Sequence, residues 1–362
     1  MEKKKVVILG SSGSVGTQTL DIIRANKDKF EVVGLAANRD SETFKKQVAE
    51  FEPKHVFLAS AAENPKRGLA ELAALPEADL IVNAVSGCAG FYPTLSACKA
   101  GKKIVLANKE SIVMAGELIM NLAKKTGAQI LPVDSEMSAI WQTGKPSGLP
   151  FHTDNSAGNI EKLILTASGG PFYGWTRSQL ENVTVEQTLR HPTWKMGAKV
   201  SIDSATLMNK AFELIEARWL FDIPMEKIEA VIHRQSLVHA LVQFKDGNMQ
   251  AVLGAPDMRI PLAYALFFPA RRANSFPRVD LSKLTLNFEK PDYSVLEGPK
   301  LACAMMKVGG TMPAFLCKAD EEAVNKFLVG EISFLGIYDH IKRSIEKVKN
   351  TTLSIEAIEN II

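Results

Sequence analysis

The chain has 362 residues, a net charge of +3 and 46% hydrophobic residues, enough for two or three domains with sizeable cores. So small a charge, with lysines in scattered pairs and not in one stripe, argues against a nucleic-acid partner. No run reaches the ~20 apolar residues of a membrane span, and Met1–Lys5 leads so directly into an apolar run that no signal peptide is expected. Cys88, Cys98, Cys303 and Cys317 lack metal-type spacing and read as free thiols of a reducing, cytoplasmic compartment.

Val6-Val-Ile-Leu9 is a buried-type strand, followed by Gly10-Ser-Ser-Gly13-Ser-Val-Gly16 and an amphipathic helix from Thr17 to Ala25. Strand, glycine-rich turn and helix form the setting of a dinucleotide site, where the backbone approaches a pyrophosphate and the helix N-terminus faces its charge. The spacing departs from G-x-G-x-x-G, and a plain turn is the competing reading. A second strand, Glu31–Ala36, ends in Asn38-Arg39-Asp40-Ser41. Arg39 there suits a 2′-phosphate and favours NADP, Asp40 keeps NAD open, and Arg39 also reads as an exposed loop charge. Further strands at His55–Leu58, Leu80–Val85 and Lys103–Ala107 alternate with helices at Glu42–Glu50, Gly68–Ala74, Tyr92–Ala100 and Ser111–Lys125. Such alternation predicts a Rossmann-like, doubly wound parallel sheet. Ligands sit beyond its strand C-termini, where Asn108-Lys109-Glu110 falls; Lys109 is expected toward the nicotinamide end, with a surface lysine after a strand as the alternative.

The strand Gln129–Val133 ends in Asp134-Ser135-Glu136. In an extended segment the two carboxylates share a side. With Glu213 they could hold one hard cation, Mg²⁺ or Mn²⁺. Asp134 or Ser135 could equally cap a helix Met137–Gln142, and one residue can do both. The strand Lys162–Thr166 runs into Ala167-Ser168-Gly169-Gly170-Pro171, either a phosphate cradle or a simple turn. Residues 171–198, with Trp175, His191, Trp194 and Gly197, show little periodicity and read as a lid or an otherwise functional loop; His191 is either a ligand-contacting lid residue or a loop histidine with no role.

Lys199–Ile202 is read as a short strand, and Asp203 or Ser204 as the N-cap of a helix to about Leu220. Leu207, Ala211, Leu214 and Ile215 form its apolar stripe, while Asn209, Lys210 and Glu213 converge within about one turn. A hydroxyl, an amide, an ammonium and a carboxylate at a helix start suit a ligand carrying phosphate and hydroxyls; a solvated helix face is the alternative. Three runs, Ile228–His233, Ala240–Phe244 and Met249–Gly254, are expected as antiparallel strands, with Lys245–Asn248 a hairpin turn. The predicted layout is a Rossmann-like domain over 1–134, an α+β catalytic domain over 135–266 with lid 168–198, a linker over 267–290, and a helical domain over 291–362 broken at Gly309-Gly310 and Gly330.

Together these blocks closely resemble the 1-deoxy-D-xylulose 5-phosphate reductoisomerase family of the methylerythritol phosphate route to isoprenoid precursors. Gly10–Gly16, Leu106-Ala-Asn-Lys-Glu-Ser111, Leu131-Pro-Val-Asp-Ser-Glu136, Thr166-Ala-Ser-Gly-Gly-Pro-Phe172, His191–Ala217 and Gly254–Pro261 carry the resemblance. It implies rearrangement of the ketose phosphate to a branched aldehyde, then reduction by NADPH, in a homodimeric, divalent-metal-dependent enzyme. For NADPH it implies Ser12, Gly13, Ser14, Val15, Asn38, Arg39, Asn108, Glu110 and Gly197; for the metal, Asp134, Glu136 and Glu213. Substrate contacts are implied for Lys109, Ser135, Glu136, Ser168, His191, Ser204, Asn209, Lys210 and Glu213, with Trp194 as the lid tryptophan. Of these Lys109, Glu136, Asp134 and Glu213 are the catalytic set. Met137 and Arg234 depart from the family pattern, which has a histidine after Asp-Ser-Glu and His-Pro-Gln-Ser at the second position. Ala211-Phe212 and Cys317–Asp320 depart as well. A metal-free NADP dehydrogenase and a non-catalytic NADP-binding protein are the rival readings.

Overall fold

The computed structural model describes residues 2–143, 159–194 and 196–362, which form two compact units. The first comprises residues 1–111, 117–134 and 258–276, and the second 112–116, 135–257 and 277–362. Residues 258–276 thus fold with the N-terminal unit, and the C-terminal helices fold with the middle of the chain.

The first unit is built on six parallel strands: β1 (Lys4–Leu9), β2 (Phe30–Ala37), β3 (His55–Leu58), β4 (Leu80–Asn83), β5 (Lys103–Leu106) and β6 (Gln129–Pro132). Their spatial order, β3-β2-β1-β4-β5-β6, is that of a doubly wound dinucleotide-binding sheet, as the alternating pattern predicts. Val6, Val7, Ile8 and Leu9 are fully buried because a parallel sheet is covered by helices on both faces. The connections are α1 (Ser14–Arg24), α2 (Glu42–Phe51), α3 (Pro65–Ala73), α4 (Phe91–Lys99) and α5 (Glu110–Thr126). The winding direction reverses between β1 and β4, which opens a crevice at their C-terminal ends.

The second unit carries α6 (Ser135–Thr143), β7 (Ile160–Ala167), α7 (Arg177–Leu180), α8 (Val185–Leu189), α9 (Ala198–Ala205), α10 (Met208–Phe221), β8 (Ile228–Ile232), β9 (Val238–Phe244) and β10 (Met249–Leu253). Next in the chain, α11 (Arg259–Phe267) packs with the first unit. The helices α12 (Gly298–Val308), α13 (Met312–Leu328), α14 (Gly336–Glu346) and α15 (Ile355–Glu359) close the second. The sheet runs β10-β9-β7-β8.

Four local expectations change. β8 pairs with β7 in parallel, so only β9 and β10 form the expected antiparallel hairpin. The stretch 171–198 holds two short helices, each opened by a capping box: Thr176 with Gln179 and Thr184 with Gln187. Glu136 lies in the first turn of α6, not on an extended strand.

The fourth concerns Lys199–Ile202, which is helical. Gly197 takes the extended N-cap conformation, Ser201 Oγ donates to the Gly197 carbonyl at 3.0 Å, and Lys199 pairs with Asp203 one turn on at 2.6 Å. Local pairing of that kind outweighs the β preference of Val200 and Ile202. Asp203 and Ser204 therefore end one helix instead of capping the next. Leu207 breaks the two apart in a left-handed conformation, φ +55°. For a side chain as bulky as leucine this costs about 1 kcal/mol or more. Tertiary contacts hold it there: Leu207 is buried, a Cβ on Gly298 would stand 2.7 Å from its carbonyl, and the Tyr338 hydroxyl donates to the Thr206 carbonyl. The break gives α10 a fresh N-terminus directly after Ser204.

Candidate active site

In the first unit the glycine-rich turn is shaped by contact. A Cβ on Gly10 (φ +82°) would lie 2.4 Å from the Ala84 carbonyl oxygen, and one on Gly16 would lie 2.3 Å from the Gly10 carbonyl oxygen. Only glycine lets the turn close against the end of β4 and lets α1 begin there. Gly13, the N-cap of α1, provides no side-chain cap, so the first-turn N–H groups face outward to a ligand, and Gly13 and Ser14 are exposed. These features fit a dinucleotide pyrophosphate.

Asn38 and Arg39 are exposed just beyond β2. Asp40 has Lys45 at 3.6 Å, whereas among the described residues no carboxylate pairs with Arg39. Asn108 is buried, and its amide nitrogen donates to the carbonyls of Val85 (2.8 Å) and Gly87 (2.9 Å) and to Glu110 (3.0 Å). Its oxygen accepts from the Ser111 backbone at 3.1 Å. Asn108 and Glu110 thus hold the crevice loops in shape from within. Gly197 belongs to the second unit, at the head of α9.

The acidic centre forms where β6 ends. Asp134, Glu136 and Glu213 each offer an oxygen, all within 4.8 Å of one another. The boundary between the units falls at the Asp134–Ser135 peptide bond, so Asp134 is carried by the same turn that starts α6. Glu213 is only 1% exposed, in the second turn of α10. The Asp134 carboxylate pairs with Lys109, and Lys210 pairs with Glu136 at 2.7 Å and with Glu213. Burial pushes the Lys210 ammonium down, but the two carboxylates outweigh it and hold the group above its ordinary value. Among the described residues two ammonium groups face these three carboxylates, and the all-oxygen, anionic donor set suits a hard divalent cation.

Beside it lies a group of hydroxyls and amides. Gly170 (φ +69°) packs so closely on α9 that a Cβ would stand 2.7 Å from the Ser204 carbonyl oxygen, which brings the Ser168 loop against Ser204. Lys210 also donates to the Thr166 carbonyl, two residues before Ser168. Ser168, Ser204 and Lys210 thus lie on neighbouring segments: the loop after β7, the end of α9 and the first turn of α10. Asn209, next to Lys210 in the first turn of α10, turns its amide to Glu213. Nδ1 of His191 accepts the backbone N–H groups of Thr193 (3.2 Å) and Trp194 (2.9 Å), and its Nε2 lies 3.0 Å from Ser168 Oγ. Burial, with Arg234 nearby, lowers His191 to about 4, so the ring is neutral. The Trp194 ring leans on His239, with centroids 6.2 Å apart.

Family models for the 1-deoxy-D-xylulose 5-phosphate reductoisomerase match residues 6–66 and 62–116, and models of its C-terminal domains match 130–221 and 253–362. The reductoisomerase of Geobacillus sp. strain WCH70 is 46% identical over 362 residues, covering 95% of this chain and 93% of that protein. The chain belongs to the 1-deoxy-D-xylulose 5-phosphate reductoisomerase family. The Caldanaerobacter subterraneus subsp. tengcongensis member is 47% identical over 364 residues, 96% of this chain and 93% of its own. Among solved structures of the family, the Zymomonas mobilis enzyme in complex with NADPH has a TM-score of 0.86 at 36% identity, covering 99% of this chain and 96% of its own. A DOX-P reductoisomerase in complex with NADPH, fosmidomycin and magnesium has a TM-score of 0.89 at 37% identity, covering 99% and 90%.

Two groups at this family member's site escape the sequence reading, and a third, Arg234, stands out there as a departure from the family pattern. Thr166, buried, donates its hydroxyl to the carbonyls of Val238 (2.7 Å) and His239 (2.8 Å), locking β7 to β9 beside the pocket. Asp320 on α13 accepts from Lys199 at 2.7 Å, tying α9 to a helix more than a hundred residues away. Arg234 donates to the Gly170 carbonyl at 3.2 Å. The i,i+4 spacing of Lys199 and Asp203 was the one signal available for the second of these; no local pattern announces Thr166.

Proposed function

We propose that this chain converts 1-deoxy-D-xylulose 5-phosphate to 2-C-methyl-D-erythritol 4-phosphate by a metal-assisted rearrangement and reduction with NADPH, supplying isoprenoid precursors. The convergence of the Asp134, Glu136 and Glu213 oxygens within 4.8 Å carries the reading. A Mg²⁺ or Mn²⁺ ion held there supplies Lewis-acid stabilisation of substrate oxygens, and NADPH supplies the hydride. The chain's own residues bind, orient and move protons around that chemistry. Lys109, fixed by Asp134, supports developing negative charge. Glu136, held by Lys210 at 2.7 Å and by the adjacent Ser135 hydroxyl at 2.5 Å, is the group placed to take and return a proton.

Ser168, Ser204, Asn209 and Lys210 anchor the phosphate, with the N-terminus of α10 contributing its free N–H groups. Since His191 accepts two N–H bonds at Nδ1, its Nε2–H donates to Ser168 Oγ. The Gly170 N–H donates to the same oxygen at 3.2 Å, so the serine hydrogen is left to point at an anion. Trp194, on the backbone that His191 pins, shields the bound sugar phosphate from water. Ser12–Val15, Asn38 and Arg39 hold the NADPH phosphates, with Asn108, Glu110 and Gly197 completing the cofactor site. Two copies of the chain pair as a homodimer; the edge strand β10 offers the half-exposed side chains of Met249 and Leu253 for such a contact.

NADPH oxidation measured with 1-deoxy-D-xylulose 5-phosphate, with and without EDTA, tests the reading. Turnover that EDTA abolishes and Mg²⁺ or Mn²⁺ restores supports it. Turnover indifferent to chelation favours a metal-free dehydrogenase.

A further inference from the structure

Among the described residues, the surroundings of Ser168 hold less positive charge than a phosphate dianion calls for. His191 is neutral, and the Lys210 ammonium is engaged by Glu136 at 2.7 Å, by Glu213 and by the Thr166 carbonyl. One further cation stands at this loop. Arg234 follows the end of β8, and the backbone places it firmly there. The His233 N–H donates to the Ala167 carbonyl at 2.7 Å, immediately before Ser168. His233 itself is fully buried, holds the Asn287 carbonyl at 2.8 Å through Nδ1, and stacks on Phe288 with centroids 4.7 Å apart. From that strut the Arg234 guanidinium donates to the Gly170 carbonyl at 3.2 Å and lies 5.6 Å from the Tyr173 ring centroid. It is exposed, and among the described residues no carboxylate pairs with it. A guanidinium has five donors, so one bond to Gly170 leaves others for an anion.

We propose that Arg234 is a substrate-binding residue that supplies the missing positive charge to the phosphate subsite formed by Ser168, His191, Ser204 and Lys210. The inference rests on the phosphate reading of that pocket given above. Gly170 is the hinge of the arrangement: its N–H serves Ser168 Oγ and its carbonyl holds Arg234, so both groups are set by one peptide segment. A guanidinium so placed meets the dianion as a charge-assisted donor, the stronger class of hydrogen bond.

The test compares the wild-type enzyme with Arg234→Met and Arg234→Lys. The expected result is a rise of about five- to twentyfold in KM for the sugar phosphate in Arg234→Met, with kcat and KM for NADPH within about twofold. Calorimetric titration with inorganic phosphate should show a loss of similar size, shrinking as NaCl is raised. Arg234→Lys should recover a large part of both, which a merely structural role of the side chain would not permit. An unchanged phosphate affinity in Arg234→Met overturns the proposal, as does equal weakening toward NADPH. A wild-type enzyme that failed to turn over the sugar phosphate would overturn the function proposed above, while the phosphate titration would still decide the role of Arg234.

Discussion

The backbone N–H of Trp194 donates to Nδ1 of His191 at 2.9 Å, and that bond decides the direction of the proton between His191 and Ser168. A ring that accepts at Nδ1 must donate at Nε2, and it can do so only while neutral. Burial lowers the group to about 4, against an ordinary value of 6.5. Between those values the folded chain binds fewer protons here than the unfolded chain. The stability this contributes is fully present above about pH 6.5 and is lost as pH falls through about 4. NMR titration of the His191 ring should therefore give a midpoint near 4. Chemical denaturation should show the wild type losing more stability from pH 7 to pH 5 than His191→Asn, whose amide oxygen keeps the acceptor without titrating. A ring that titrates near 6.5 would contradict the lowering by burial.

Gly170 should be irreplaceable for substrate binding. Its φ of +69° disfavours any side chain, and the Cβ of Gly170→Ala would meet the Ser204 backbone at 2.7 Å, where nothing flexible can yield. The loop must move off α9, carrying the Ser168 hydroxyl with it. We expect KM for the sugar phosphate to rise at least about tenfold, since a displacement near 1 Å is costly in a preorganised site. KM for NADPH, which depends on the Gly10–Gly16 turn, should stay within twofold. Equal losses for both substrates would show that the variant is merely unstable.

Much of this architecture is legible locally, and the exceptions have a common cause. The run Val6–Leu9 is a buried strand because parallel sheets are covered on both faces, and Gly16 is a glycine because the Gly10 carbonyl lies under it. Asp134, Glu136 and Glu213 could be grouped in advance because their chemistry limits what they can share. Lys199–Ile202 misleads because β-branched side chains suggest a strand, while the Lys199–Asp203 pair and Asp320 of α13 favour a helix. The left-handed Leu207 is set by Gly298 and Tyr338, partners about 90 and 130 positions away that no window on the sequence contains. Capping boxes at Thr176 and Thr184 were readable and mark helices in what otherwise passes for a loop. Parallel pairing of β8 with β7 depends on the path of the intervening helices and leaves no mark on either strand.

Glu213→Gln should separate metal binding from the rest of the site. The side chain is buried, between Lys210 and Asn209, so an amide of the same shape keeps the packing and removes one anionic oxygen donor. The affinity for Mn²⁺, measured directly by calorimetry, should fall at least about tenfold. Excess Mn²⁺ should restore part of the activity. A variant as inactive at saturating as at low Mn²⁺, with metal affinity unchanged, would remove Glu213 from the ligand set.

Arg39 should decide between the two nicotinamide cofactors. It is exposed beyond β2, while the neighbouring Asp40 has Lys45 at 3.6 Å. A guanidinium facing a 2′-phosphate contributes about 1.5–3 kcal/mol, discounted toward the lower end for its exposure. Arg39→Ala should raise KM for NADPH about tenfold and leave the weaker use of NADH nearly unchanged. Parallel loss with both cofactors would place the 2′-phosphate elsewhere.

Lys199 tests whether the buried charges behind the phosphate pocket hold α9 in place. Its ammonium reaches Asp203 at 2.6 Å and Asp320 at 2.7 Å, and lies 5.2 Å from the Phe212 ring centroid. Asp320 is fully buried; burial drives its carboxyl above the usual range, and Lys199 opposes that rise. Removing the cation in Lys199→Met takes the ammonium away from the fully buried Asp320 carboxyl, a loss of about 3–5 kcal/mol in stability. Ser204 lies at the end of the same helix, so KM for the sugar phosphate should rise with it. Adding Asp320→Asn should return part of the stability, because it removes the buried charge that the ammonium balanced. Urea unfolding of the two single variants and the double variant closes the cycle. Purely additive losses would mean that the ammonium and the carboxylate do not act on each other.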